Sequence, residues 1–474
     1  MKKLKGYITV YLSMILGLLI TLTLTVIEGV RRQTARMETE CVMDAGLSSI
    51  FAEYHREMVK QYGLLFIDDS YGASPGTDNT RSHLLEYMNL NFRANDMTKD
   101  LTGLRADNAK LSEVSFASDD SGTVLRYQII RYMRSKTGAE LLLNEGFDPI
   151  NPDEVIDLYD DYEEQRDDLS GEIDEIVDEY NLGLTEDEDP VEISNPADAV
   201  ERLSSSSALF YACKDLDSIS NRSTNLSSLI SKRQYPEGFG LYEGQKSPYG
   251  PADEAYFNGY LFDKLGYRDK EKEGACLNYQ IEYLIEGKDS DLKNLEEIAE
   301  KIFKIRYVTN LTHLYSSPGK LQEAEEMAVA ATLVIAQPEL VEAVKHSVIL
   351  AWAYAESAKD LRILFDGHKL AVNKTEQDWN TPISQIMDFK SHLGEYRIPS
   401  GTMAYKDFLY SFLFFENKKK CNMRLMDVME MDIRLTNGNA NFRMNDQIYQ
   451  LKARVNVSGS YGYGYEITRS YSYR

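Results

Sequence analysis

The residues whose types and spacing best suit chemistry are Trp352, Glu356 and Lys359, which share one face if their stretch is helical. A carboxylate beside an indole is an arrangement for proton transfer, but no histidine or second carboxylate is arranged with it as base and acid. Glu356 also reaches Asp360 or Arg362, so the group reads as a structural ion pair under a core tryptophan. The Asp68-Asp69 pair suits a metal or an acid, yet it ends an apolar run as strand-end turn residues do. Ser317 to Lys320 lacks the leading glycine and following hydroxyl of a phosphate loop. His55, His83, His313, His346, His368 and His392 have no ligand spacing, and Cys41, Cys213, Cys276 and Cys421 form no CxxC pair. One bridge among the last three cysteines is possible and none is required. No catalytic residue, metal ligand or cofactor is therefore assigned, and no enzyme is expected.

Composition bounds the elements that hold these residues. With 474 residues and 43% hydrophobic content the chain builds a sizeable core, enough for two or three domains. The net charge of −24 is uneven, with +3 on residues 1 to 40 and −27 on the rest. So acidic a surface repels phosphate backbones, and no nucleic acid is expected as a partner.

Between Lys5 and Glu28 lie 22 uncharged residues, GYITVYLSMILGLLITLTLTVI. About 20 apolar residues rising ~1.5 Å each cross a hydrocarbon core. Tyr7 to Ile27 are read as one retained transmembrane helix after a short basic tail, residues 1 to 6. A cleaved signal has a shorter apolar run and a small-x-small site. Lys2, Lys3 and Lys5 balance Arg31, Arg32 and Arg36, so the positive-inside count is nearly even. The free amino terminus and the short leading side favour a cytoplasmic N-terminus, with the bulk extracytoplasmic and the protein in the cell membrane. The expected partners are the lipid bilayer and other anchored proteins. Ser13 and Gly17, four apart, offer a face where another helix approaches closely.

The pattern Lys5-Gly6-x-x-x-Val10-x-Leu12, then a long apolar run, Glu28 and Arg31, resembles the start of pilin-like proteins, in particular minor pseudopilins of tight-adherence (Flp-type) pilus systems. The resemblance implies cleavage by a prepilin peptidase between Gly6 and Tyr7, and packing of the helix among other pilus helices. In that family the fifth residue beyond the cut is usually a glutamate that pairs with a neighbour's new amino terminus. This chain has Tyr11 there, and a phenol cannot replace that charge. The stretch AGLSSIFAEYHREMVKQYGLLFIDD within Cys41 to Asp69, WAYAES at Trp352 to Ser357, and a strand-rich C-terminus are similar to a group of large clostridial membrane proteins encoded near such pilus systems. Together these likenesses imply a non-enzymatic, pilin-like assembly or platform component of a bacterial pilus or secretion system. A pilus-independent adhesin or binding protein, and an extracytoplasmic enzyme of unrecognised type, are the alternatives.

Val42, Ala45, Leu47, Ser49, Ala52, Tyr54, Val59 and Tyr62 keep near-helical spacing to Gly63. The anchor and a stem at 28–63 are thus predicted as one helix of about sixty residues. Leu64 to Ile67 read as a short strand opening a mixed α/β segment, 64–150. Residues 153 to 192 hold 19 Asp/Glu against Arg166 alone. Within them Val155, Tyr159, Tyr162, Leu169, Ile173, Ile176 and Tyr180 form a heptad seam. With Ala197 to Leu229 running back, 151–232 is predicted as a projecting acidic coiled-coil hairpin. Arg233 to Gly250 reads as a loop rich in Gly, Pro and Tyr at the start of a helical domain, 233–436. In 437–474, Tyr449 to Val457 and Tyr461 to Ile467 alternate about Ser458-Gly459-Ser460 as a β-hairpin, with a third strand near Phe442 to Met444. The fold class expected is α+β, predominantly helical: a single N-terminal transmembrane helix continuing into a long stem helix, and a small C-terminal antiparallel sheet.

Overall fold

The structure, a computed structural model, describes residues 5–72, 74–94, 102–136, 149–184, 189–193, 196, 207–335, 337–460 and 462–473. The chain is predominantly helical, with a long apolar N-terminal helix and a small antiparallel sheet towards the C-terminus. It divides into two units, Met1–Lys136 with Leu229–Asp253 and Met429–Arg474, and Thr137–Ser228 with Glu254–Val428. Each unit is assembled from separated stretches, where the sequence reading lays segments end to end. Most of the basic tail and residues 197–206 of the expected second arm lie outside the described residues, as does Tyr461.

In the first unit the N-terminal helix spans Lys5–Phe51. Beyond the apolar stretch it turns one side inward through Ala35, Thr39, Val42, Met43, Leu47 and Ile50, at three- and four-residue spacing. A single helix to Gly63 does not form. The helical period persists in the sequence, but the His55 ring accepts the Met58 amide at 3.3 Å and so caps a separate helix, Arg56–Tyr62. The His55 amide donates to Phe66 O at 2.8 Å, fixing the break. Gly63 ends the short helix at φ 72°, and a Cβ there would stand 2.8 Å from the Tyr132 ring.

Among the described residues the sheet has four strands. Strand β1 (Ile67–Asp68) and β2 (Arg105–Phe116) flank β3 (Gln447–Ser458), and β4 (Gly464–Ser472) pairs with β3 from Gln450 to Ser458. Tyr449, Leu451, Ala453, Val455 and Val457 are buried along β3, as the period of two requires. Phe442 to Met444 do not supply the third strand. Met444–Asp446 is a 3₁₀ turn, and the long partner comes from RADNAKLSEVSF, far upstream. Register shifts interrupt that strand, and Glu113 sits at φ 48°, so its alternation is broken.

At the sheet's edge the Asp69 amide donates to Asp446 O at 3.0 Å. Burial and the neighbouring carboxylates push Asp69 up to about 7 and Asp446 up to about 6. A carboxyl raised on folding stabilises the native state most below its ordinary pKa, and that contribution is lost as pH rises through the raised value. The urea midpoint is therefore expected to rise as pH falls from about 8 to about 6, and Asp69→Asn to flatten that slope and raise the midpoint at the alkaline end. An unchanged slope in Asp69→Asn would contradict the assignment.

The loop 235–250 belongs to this unit and is organised by Asp119. Its carboxylate accepts the amides of Phe116 at 2.9 Å, Gly238 at 2.7 Å and Gly240 at 3.0 Å. A Cβ on Gly238 would lie 2.6 Å from that carboxylate, so the close approach depends on glycine.

In the second unit, helices Asp291–Ser316 and Pro338–Phe365 pack together, and Pro318–Thr332 packs on them. The acidic helix, Pro152–Leu182, is not a projecting arm. It buries Pro152, Tyr159, Arg166 and Ile173, each seven residues apart, against the same two helices. Tyr159 meets Tyr307 edge-on at 5.2 Å between ring centroids, and Arg166 sits within the seam because Glu163, at 2.7 Å, and Asp167, at 2.8 Å, neutralise it. Residues 207–229 contain only Ala208–Ala212 and two 3₁₀ turns, so no antiparallel helix forms there. Asp215 and Asn225 divert the backbone, each accepting an amide two residues on at 3.0 Å.

Candidate functional site

Gly6, Tyr7, Tyr11, Ser13 and Gly17 all lie on the first part of the N-terminal helix, which is long and apolar enough to cross a membrane and is uncovered by the other described residues. Tyr7 and Tyr11 are 81% and 67% exposed, and a Cβ on Gly6 or Gly17 would meet nothing within 4 Å. Nothing among the described residues therefore requires glycine at either position. The hydroxyls on this stretch bond back into the helix. Ser13 donates to Val10 O, Thr21 to Gly17 O and Thr25 to Thr21 O, each at 2.8 Å. In hydrocarbon that is the bonding a hydroxyl needs. Ser13, Gly17, Thr21, Thr25 and Gly29 recur every fourth residue and leave one low-relief stripe.

The folded body takes hold of the helix where the apolar stretch ends. The Tyr463 hydroxyl donates to Glu28 Oε2 at 2.7 Å, and Arg32 Nε donates to Glu28 Oε1 at 3.0 Å. Tyr465 donates to Arg32 O at 3.2 Å, and the Arg32 guanidinium stands 5.7 Å from the Tyr463 ring. Further along, Arg469 faces Asp44 at 3.5 Å, and Thr102 donates to Glu38 at 2.9 Å. Tyrosine and arginine beside an apolar span are the residues that suit a membrane–water boundary. The alternation from Tyr461 to Ile467 marks a strand in the sequence, but it does not name the helix that Tyr463 and Tyr465 meet.

The Trp352–Glu356 constellation is buried in the second unit. Lys374, 18 residues past Glu356, donates to its Oε1 and lies 2.7 Å from Asp360 Oδ1. Arg306 Nε reaches Asp360 Oδ2 at 3.0 Å, Asn310 reaches it at 3.1 Å, and the Asn380 amide donates to Glu356 Oε1 at 3.0 Å. Burial acts to raise the Asp360 carboxyl, but Lys374, Arg306 and the hydrogen bonds hold it below the usual carboxylate range. Lys359 and Arg362, the cations expected near Glu356, turn instead to the carbonyls of Asn380 at 3.2 Å and Ala212 at 3.0 Å.

Trp352 and Trp379 both donate to Thr381 O, at 2.7 and 2.8 Å. Lys320, from the Ser-Pro-Gly-Lys stretch, lies 4.6 Å over the Trp352 ring. Glu356 and Asp360 are fully buried and Lys374 nearly so. Two carboxylates and two cations close on one another, an arrangement that fixes a core and gives a substrate no access. Lys374 was missed because it lies in a loop with no periodic pattern. Among the described residues no group of three His, Cys, Asp or Glu side chains is placed to hold a metal, and no disulfide joins any two of the four cysteines.

Comparison with curated proteins and with solved structures returns no match. A family model does match, over residues 186–459, more than half of the chain and including the Glu356–Lys374 network and β3. On that match the chain belongs to the family of unknown function DUF5702.

Proposed function

We propose that this protein is a single-pass, membrane-anchored, extracytoplasmic and non-enzymatic component of a bacterial pilus or secretion system, pilin-like in its N-terminal helix and serving in assembly or as a platform. The observation that carries this reading is the uncovered apolar stretch from Gly6 to Ile27, gripped by Tyr463 and Tyr465 of the folded body directly after it ends. A helix this apolar needs lipid or other helices around it, and the bonds at Glu28 and Arg32 hold the body against its exit point. Lateral association would run along Ser13, Gly17 and Thr21, whose small, internally bonded side chains allow close backbone approach.

The test is intact-mass analysis of protein extracted from membranes, with and without a co-expressed prepilin peptidase. Loss of Met1 to Gly6 only when the peptidase is present is the expected result. A full-length mass under both conditions contradicts pilin-like processing.

A further inference from the structure

We propose that a groove between the C-terminal end of helix Asp119–Lys136 and the loop Gly244–Pro248 binds a ligand bearing phosphate or carboxylate groups. The groove, about 510 Å³, is lined by Tyr127, Arg131, Arg134, Lys246, Ser247 and Asp253 among others. A cavity of that size accommodates a molecule on the scale of a sugar phosphate. Asp253 pairs with Arg134. Arg131 meets neutral partners, donating to the Tyr449 hydroxyl at 3.3 Å and to Tyr473 O at 3.4 Å, with its guanidinium 5.7 Å from the centre of the Tyr127 ring. Lys246 makes no ion pair among the described residues.

Two uncompensated cations thus share a concave site in a chain whose net charge is −24. Like charges held together repel, and an anion between them removes that repulsion. A guanidinium fork, an ammonium and the hydroxyls of Ser247 and Tyr127 are suitable donors for an oxyanion.

The groove wall is fixed before any ligand arrives. Arg126 Nε donates to Pro248 O at 2.9 Å, its guanidinium lies 5.0 Å over the Tyr249 ring, and the hydroxyls of Tyr249 and Thr123 are 2.8 Å apart. Preformed donors bind without the entropy loss of ordering a loop.

Tyr473, whose carbonyl faces Arg131, also donates its hydroxyl to Phe51 O at 2.9 Å. Phe51 lies 24 residues past Ile27, roughly 36 Å of helix beyond the apolar stretch. Given the anchor reading, the ligand is therefore not a headgroup of the bilayer that holds the helix, but an anion in solution or on a neighbouring surface polymer.

Isothermal titration of the full chain in detergent, with pyrophosphate and separately with tricarballylate, tests the site whatever the helix is embedded in. Saturable binding of at least one probe is expected, weaker at higher salt and at least about tenfold weaker in Arg131→Gln/Lys246→Gln. Lys110→Gln, on β2, should bind as wild type does. Preference between the probes identifies a phosphate or a carboxylate source. If the double variant is poorly folded, Lys246→Glu alone on the exposed loop should show the loss. Absence of saturable binding up to about 10 mM, or equal affinity in the folded variants, overturns the proposal.

Discussion

Lys374→Met is expected to destabilise the protein by roughly 3–5 kcal/mol, read as a fall in the urea midpoint at neutral pH, because it strands two buried carboxylates without their shared cation. Glu356 and Asp360 are fully buried, and once Lys374 is gone Asp360 keeps Arg306 and Asn310 while Glu356 keeps the Asn380 amide. Removing charge on both sides should restore part of the loss, so Lys374→Met with Glu356→Gln should be more stable than Lys374→Met alone. Lys345→Met is the contrasting case: its partners Glu325 and Glu342 are each 58% exposed, and the change is expected to cost less than about 1 kcal/mol.

The sign with pH follows from Asp360. A carboxyl held low on folding contributes stability above its ordinary pKa that is lost as acid titrates it in the native state. Wild type should therefore lose more than Lys374→Met does on acidification. An unfolding free energy of Lys374→Met within about 1 kcal/mol of wild type would show that the network is dispensable.

Deletion of residues 2–27 is expected to move the protein from the membrane pellet almost wholly to the supernatant while leaving the near-ultraviolet circular dichroism of the body unchanged. Among the described residues the stretch removed is not buried against the body, and the grip by Tyr463 and Tyr465 begins at Glu28. A truncated chain that still pelleted while folded would mean that another surface carries membrane affinity.

Elements with a strong period were legible in the sequence. The apolar run reads directly as a helix, and β3 reads as a strand because Leu451, Ala453, Val455 and Val457 alternate with polar neighbours. The seam of Pro152–Leu182 was visible as a heptad, but a seam does not name its partner, and the partners are helices more than a hundred residues later in the chain. Strand β2 was not legible: its bulges break the alternation, and only its pairing with β3 makes it a strand. The end of the N-terminal helix at Phe51 is set by a cap and a distant carbonyl rather than by any helix breaker. For the buried charge network the sequence supplied Trp352 and Glu356 on one helix face. Arg306 and Lys374 come from a different helix and a loop, and only the fold brings them together.

Which side of the membrane holds the body is decided most directly at Cys41, which is exposed on the helix beyond the apolar stretch. With Cys213, Cys276 and Cys421 replaced by serine, intact cells are treated with a membrane-impermeant maleimide and the protein is then isolated and weighed. An extracytoplasmic body predicts labelling of Cys41 in intact cells, to the same extent as after permeabilisation. Labelling only after the membrane is opened would place the body in the cytoplasm and contradict the proposed function.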